Sequence, residues 1–143
     1  MPDPSATTPS IALEALAGLR SAPPLDRQQR EALLQALQAV LARCDWFTFG
    51  VMAPSAPAAV KALRALEQSQ GWEPLALDPG GEALEAMEGP VFLKGNQNNG
   101  RFQLRREAGL GEGILIAGHS ATDPAAEGTW GPLPLDLFAA GAS

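Results

Sequence analysis

The sequence predicts an α+β fold: one compact domain with a small, mostly antiparallel sheet and N-terminal and central helices packed on it. Three observations carry that prediction. Leu33, Leu34, Leu37, Val40, Leu41 and Cys44 recur at helical spacing, a continuous apolar stripe of the kind an amphipathic helix buries. The run Gly89–Gly118 reads as a Gly/Asn-punctuated hairpin followed by an apolar strand. The βα alternation that a doubly wound sheet requires stops after Gly71.

Along the chain, residues 1–8 are polar and Pro-rich and are expected as a disordered tail, ahead of one domain over 9–138 and a short tail over 139–143. Thr8 and Pro9 suit the cap and first position of a short helix carrying Ile11, Leu13, Leu16 and Leu19. Ser21-Ala22-Pro23-Pro24 ends it. Asp26, with Gln29 three residues on, resembles a capping box for the Leu-striped helix. From Asp45 to Met52 the residues alternate: Phe47, Phe49 and Val51 on one face, Trp46, Thr48, Gly50 and Met52 on the other. Trp46 and Met52 suggest that this second face is also partly covered, by a helix or by the C-terminal segment. Ser55 caps a helix to about Gln70, with Val60, Leu63 and Leu66 as its stripe and Gly71 as its left-handed stop. Trp72–Leu77 reads as a short strand, and Glu82–Met87 as one or two helical turns.

The hairpin arms are 91–95 and 101–105. Asn99-Gly100 is the stronger turn signal and Asn98-Asn99 the alternative. Either register sends Val91, Leu93, Phe102 and Leu104 inward. Both send Phe92, Lys94 and Asn96 outward with Arg101, Gln103 and Arg105. Lys94 then lies near Arg105, which is unfavourable unless an acid or an anion sits between them. Ile114-Leu115-Ile116-Ala117 reads as a central strand buried on both faces. The closing segment, with Trp130, Leu133, Leu135, Leu137 and Phe138, is too apolar to be free and is expected to dock on the body.

A length of 143 residues suits one domain without staples. The formal net charge of −6 argues against nucleic-acid backbones and anionic membranes. Cys44 is the chain's single cysteine, so it has no intramolecular disulfide partner. The opening residues have neither the basic nor the apolar region of a secretory signal, and no apolar run reaches membrane-span length. A soluble cytoplasmic protein is expected.

Catalytic signals are thin. Gly118-His119-Ser120-Ala121-Thr122 departs from the nucleophile elbow at its second glycine and leads into a proline-broken loop. Cys44 lies on an apolar helix stripe, where a thiol behaves as a small hydrophobe rather than as a partner for His119. One Cys and one His assemble no zinc site without carboxylates. Gly109-Leu110-Gly111-Glu112-Gly113 leads into a strand, whereas a phosphate loop opens into a helix. The Glu82–Glu88 carboxylates have the spacing of a solvated helix face. No catalytic residue, metal ligand or cofactor is expected.

Four of the ten basic residues, Lys94, Arg101, Arg105 and Arg106, fall in the hairpin region of this acidic chain. The candidate binding face is therefore Lys94, Asn96, Asn98, Asn99, Arg101, Gln103 and Arg105. It offers charge-assisted donors and amides to an acidic protein or a small anionic ligand, and Phe92 and Trp46 would extend it if their faces coincide. An alternative pocket, for a small metabolite or a substrate, would use His119, Ser120 and Trp130. The leading expectation is a non-enzymatic binding or adaptor module.

Three blocks, E-G-P-V-F-L-K-G-N-Q-N-N-G at Glu88–Gly100, G-I-L-I-A-G-H-S at Gly113–Ser120 and W-G-P-L-P-L-D-L-F at Trp130–Phe138, follow two N-terminal helices. In this order the chain, from about Ile11 to Phe138, resembles a small uncharacterised cyanobacterial family, a domain of unknown function. The resemblance implies a single α+β domain in a photosynthetic bacterial cytoplasm and brings no catalytic residues with it.

Overall fold

A computed structural model describes residue 16 and residues 21–78, 88–107 and 111–142. The helix expected over 9–20 and the turns expected over Glu82–Met87 lie outside these, apart from Leu16, which is helical and fully buried in the core. The described elements are α1 (Arg27–Leu41), β1 (Trp46–Ala53), α2 (Ala56–Gln70), β2 (Ala76–Leu77), β3 (Val91–Asn96), β4 (Arg101–Arg106), β5 (Gly113–His119) and β6 (Gly128–Leu133). Short 3-10 turns occupy Pro124–Ala126 and Leu137–Ala142.

The caps form as their residues dictate. Asp26 Oδ1 accepts from Gln29 N at 2.8 Å, and Gln29 Oε1 accepts from Asp26 N at 3.0 Å, closing the capping box of α1. Ser55 Oγ accepts from Ala58 N at 3.3 Å, and α2 stops at Gly71 with φ 72°. α1 buries Leu33, Leu37 and Leu41. α2 buries Ala56, Ala59, Ala62, Leu63, Leu66 and Glu67, with Val60 left at the margin. The three alanines let its backbone approach the sheet closely, so its buried stripe is rotated from the expected Val60-Leu63-Leu66.

The six strands form one sheet in the order β2-β4-β3-β1-β5-β6. All neighbours are antiparallel except β2 with β4. β1 lies between β3 and β5, so its alternation sets the two faces of the sheet. Phe47, Phe49, Val51 and Ala53 join Val91, Leu93, Phe102, Leu104, Ile114 and Ile116 in the core with the helices. The other face carries Trp46, Thr48 and Gly50 of β1, Phe92 and Lys94 of β3, and Leu115 and Ala117 of β5.

Two strand expectations need correction. Only Ala76–Leu77 of the expected Trp72–Leu77 strand pairs, because the preceding residues are held by α2. Glu67, 2% exposed, accepts from Leu75 N at 2.7 Å, and Arg64 Nη1 donates to Leu75 O at 3.1 Å. Trp72 meanwhile stacks on Phe47 and Phe49, with ring centroids 5.4 and 6.0 Å away. β5 is fully buried on its core face, where Ile114 and Ile116 have no exposure, but Leu115 and Ala117 on the opposite face are only half-buried.

The closing segment does dock. Trp130 and Leu133 lie in β6, and Leu137 and Phe138 are buried beyond it. Its 3-10 turn runs to Ala142, past the boundary expected at 138. Its Leu137 and Phe138 pack on the helix side. On the outer face Met52 is nonetheless buried, 6% exposed, and Trp46 half-buried, so that face is partly covered as the sequence suggested, and among the described residues it is most open around Lys94.

Candidate functional site

The hairpin is built on the Asn98-Asn99 register: Asn96 pairs with Arg101, Lys94 with Gln103 and Phe92 with Arg105. Residues 97–100 form a four-residue loop rather than a two-residue type I′ turn. Asn96 Oδ1 accepts from Asn98 N at 2.8 Å, Asn99 Oδ1 accepts from Arg101 N at 3.1 Å, and Gly100 takes φ 70°. These local side-chain bonds stabilise the longer loop against the tight one. The carbonyl oxygens of Asn96 and Asn99 are thereby engaged with backbone, and their amide N–H groups remain as donors. Asn98 is exposed at the loop tip.

On the strands, Lys94 is exposed opposite Gln103, whose Nε2 donates to Asp78 Oδ2 at 2.9 Å. The feared clash between Lys94 and Arg105 is relieved because the register sets them diagonally. Arg105 also lies over the Phe92 ring, 5.4 Å from its centroid, and its Nε meets Glu107 Oε1 at 3.1 Å. Glu107 thus pairs with Arg105 from beyond the end of β4 and does not sit between it and Lys94. Among the described residues, neither Lys94 nor Arg101 has an ion-pair partner.

Two shallow troughs cross this face and share Thr48 and Lys94. One, of about 290 Å³, has Phe92, Leu115, Ala117 and Thr129 around a floor at Gly50. The other, of about 400 Å³, has Asn96, Asn99, Arg101 and Gln103, with Asp78 as its acidic member. The first depends on Gly50. A Cβ there would stand 2.7 Å from the Phe92 ring, so only glycine lets that ring lie across β1. The predicted face thus brings together Lys94, Asn96, Asn99, Arg101, Gln103 and Arg105. Thr48, Gly50, Leu115, Ala117 and Thr129 were missing from it. Their signal was the alternation of the two strands, legible only once β1 and β5 are known to be neighbours.

The alternative pocket does not assemble as expected. His119 is on the outer face, stacked on Trp46 with ring centroids 4.0 Å apart and Nε2 3.2 Å from Thr48 Oγ1. Trp130 is buried on the core face. Ser120 Oγ accepts from Asp123 N at 3.0 Å and Thr122 N at 3.3 Å, which makes it a turn-forming hydroxyl. Trp46 and Phe92 do share a face, but Trp46 stands at the His119 end of β1 and lines neither trough.

Cys44 is on the opposite side of β5 from His119: its Sγ stands where a Cβ on Gly118 would intrude. The thiol donates to Ala126 O at 3.2 Å. Burial, seconded by the Asp45 carboxylate, pushes its pKa up, the reverse of what a nucleophilic thiol needs. No cluster of three or more His, Cys, Asp or Glu among the described residues could hold a metal ion. No helix of the described residues is long and apolar enough to cross a membrane.

The fold is similar to the crystal structure of an uncharacterized protein from Anabaena variabilis ATCC 29413. That similarity has 29% sequence identity and a TM-score of 0.77, and it covers 88% of this chain and 92% of that one. No curated protein matches the sequence. Residues 11–138 match the family described as a domain of unknown function, DUF1824, and the chain belongs to that family.

Proposed function

We propose that this protein is a non-enzymatic binding module whose outer sheet face engages an acidic protein partner. One observation carries the reading: on a chain of net charge −6, Lys94 and Arg101 stand exposed and without ion-pair partners among the described residues, on the outer face of the sheet. Exposed cations steer an acidic partner into register. Beside Lys94, Phe92 and Arg105 are of the residue types enriched in protein interfaces. The troughs are shallow and cross the strands, which suits a polypeptide surface better than an enclosed metabolite.

The test is capture of partners from native-host lysate by the parent and by a Lys94→Glu/Arg101→Glu variant, with circular dichroism to verify folding. A stoichiometric partner held by the parent and lost by the variant supports the reading. A partner held equally by both refutes it.

A further inference from the structure

We infer that the element recognised on the partner is an extended segment in which an acidic residue stands two positions from an apolar one, and this rests on the reading of the sheet face as a docking surface. The two troughs differ in chemistry and adjoin, sharing Thr48 and Lys94. The polar one offers the Lys94 ammonium, the Arg101 guanidinium and the amide donors of Asn96 and Asn99, against the single carboxylate of Asp78, which already accepts from Gln103. The other is bounded by Phe92, Leu115 and Ala117 around the bare backbone of Gly50; Arg105, already paired with Glu107, also lines it. Lys94 belongs to both.

A carboxylate seated at Lys94 and Arg101 therefore has an apolar recess directly beside it. Geometry sets the spacing. Between β4 and β5 lie β3 and β1, so the troughs together span three strand separations, about 14 Å. An extended chain covers that in roughly four residues, and its positions i and i+2 point the same way, about 7 Å apart. One side chain then reaches the cations and the next on that side enters the recess. The residue between them faces solvent and is free in identity.

Gly50 and Ala117 set the depth of the recess. Larger side chains there fill it without altering any charge. The apolar and electrostatic contributions are consequently separable by mutation.

The experiment titrates the isotope-labelled full chain with blocked synthetic peptides carrying Asp-Ser-Leu, Asp-Ser-Ser or Asn-Ser-Leu, and with an oligouridylate, following backbone amide shifts. The Asp-Ser-Leu peptide should shift Thr48, Gly50, Lys94 and Ala117 and bind about tenfold tighter than either control. Lys94→Glu should remove that advantage over the Asn peptide, and Ala117→Met the advantage over the Ser peptide, each variant retaining the dispersed spectrum of a folded chain. Equal binding of the two Asp peptides overturns the acidic-apolar assignment while leaving an acidic docking face standing. Absence of shifts with every Asp peptide overturns it as well. Tighter binding of the oligouridylate at the same amides overturns both this inference and the docking reading, and identifies a nucleic-acid surface instead.

Discussion

Glu67 is the carboxylate on which the chain's return from α2 to the sheet turns, and its removal should be felt throughout the molecule. Its side chain is 2% exposed. It accepts from Leu75 N at 2.7 Å and from Arg64 Nη1 at 3.0 and 2.9 Å. In Glu67→Ala the buried Leu75 N–H loses its acceptor, a penalty of about 1–3 kcal/mol. Lost packing of the methylenes adds about 1 kcal/mol. Arg64, 40% exposed, recovers solvation and adds little. The total is about 3 kcal/mol. With an unfolding entropy near 2.1 cal/mol/K per residue over 143 residues, that lowers Tm by about 10 °C.

Glu67→Gln keeps an amide oxygen for Leu75 and should lose about 1 kcal/mol, or about 3 °C. Thermal unfolding followed by circular dichroism reads both values, and hydrogen exchange should show faster exchange at Leu75 in the alanine variant. A Glu67→Ala protein melting within a degree of the parent would refute the reasoning. So would a Gln variant as unstable as the Ala variant, since the charge rather than the acceptor would then matter.

Gly95 has no room for a side chain, because a Cβ would overlap the buried Phe49 ring. Gly95→Ala should cost about 1–3 kcal/mol in urea unfolding, and Phe49→Leu in the same chain should return part of it. Gly100 has open space around it but φ 70°, so Gly100→Ala should cost only about 1 kcal/mol, a strain effect visible as a small fall in Tm. The raised pKa of Cys44 means that the native state holds its proton more tightly than the unfolded chain does. Stability from this thiol is complete below its unfolded value and falls as pH rises from there through the folded value. Urea unfolding above pH 9 should show that decline in the parent and a smaller one in Cys44→Ala, and thiol-reactive dyes should label the native protein slowly. Lys94→Glu/Arg101→Glu should leave stability within about 0.5 kcal/mol, since both side chains are exposed and unpaired among the described residues; a larger fall in Tm would show that they serve the fold.

Local chemistry was enough to read most elements from the sequence. The Asp26–Gln29 capping box, the Ser55 cap and the Gly71 stop are reciprocal bonds or backbone states within a few residues of one another. The hairpin faces were legible because side chains alternate along a strand whichever turn closes it. The α+β class followed from the order of these pieces. What resisted reading was every property that depends on a distant neighbour. The loop chose four residues because Asn96 and Asn99 bond backbone inside it while Gln97 N donates to Phe47 O of β1 at 3.0 Å. Trp72–Leu75 left the sheet because a buried carboxylate of α2 captured it.

The candidate site divides the same way. Its cations were visible as a cluster in an acidic chain, and their outward direction came from strand period alone. Its troughs were not visible, because Thr48, Leu115 and Thr129 are unremarkable in sequence and meet Phe92 only when β1, β3, β5 and β6 lie side by side. How much of the outer face stays open was likewise decided by packing: among the described residues, α1, α2 and Trp130, Leu133, Leu137 and Phe138 found their apolar partners on the other side of the sheet. A sequence carries the alternation that makes two faces. Only the competition among distant apolar surfaces for the same core settles which face remains in water.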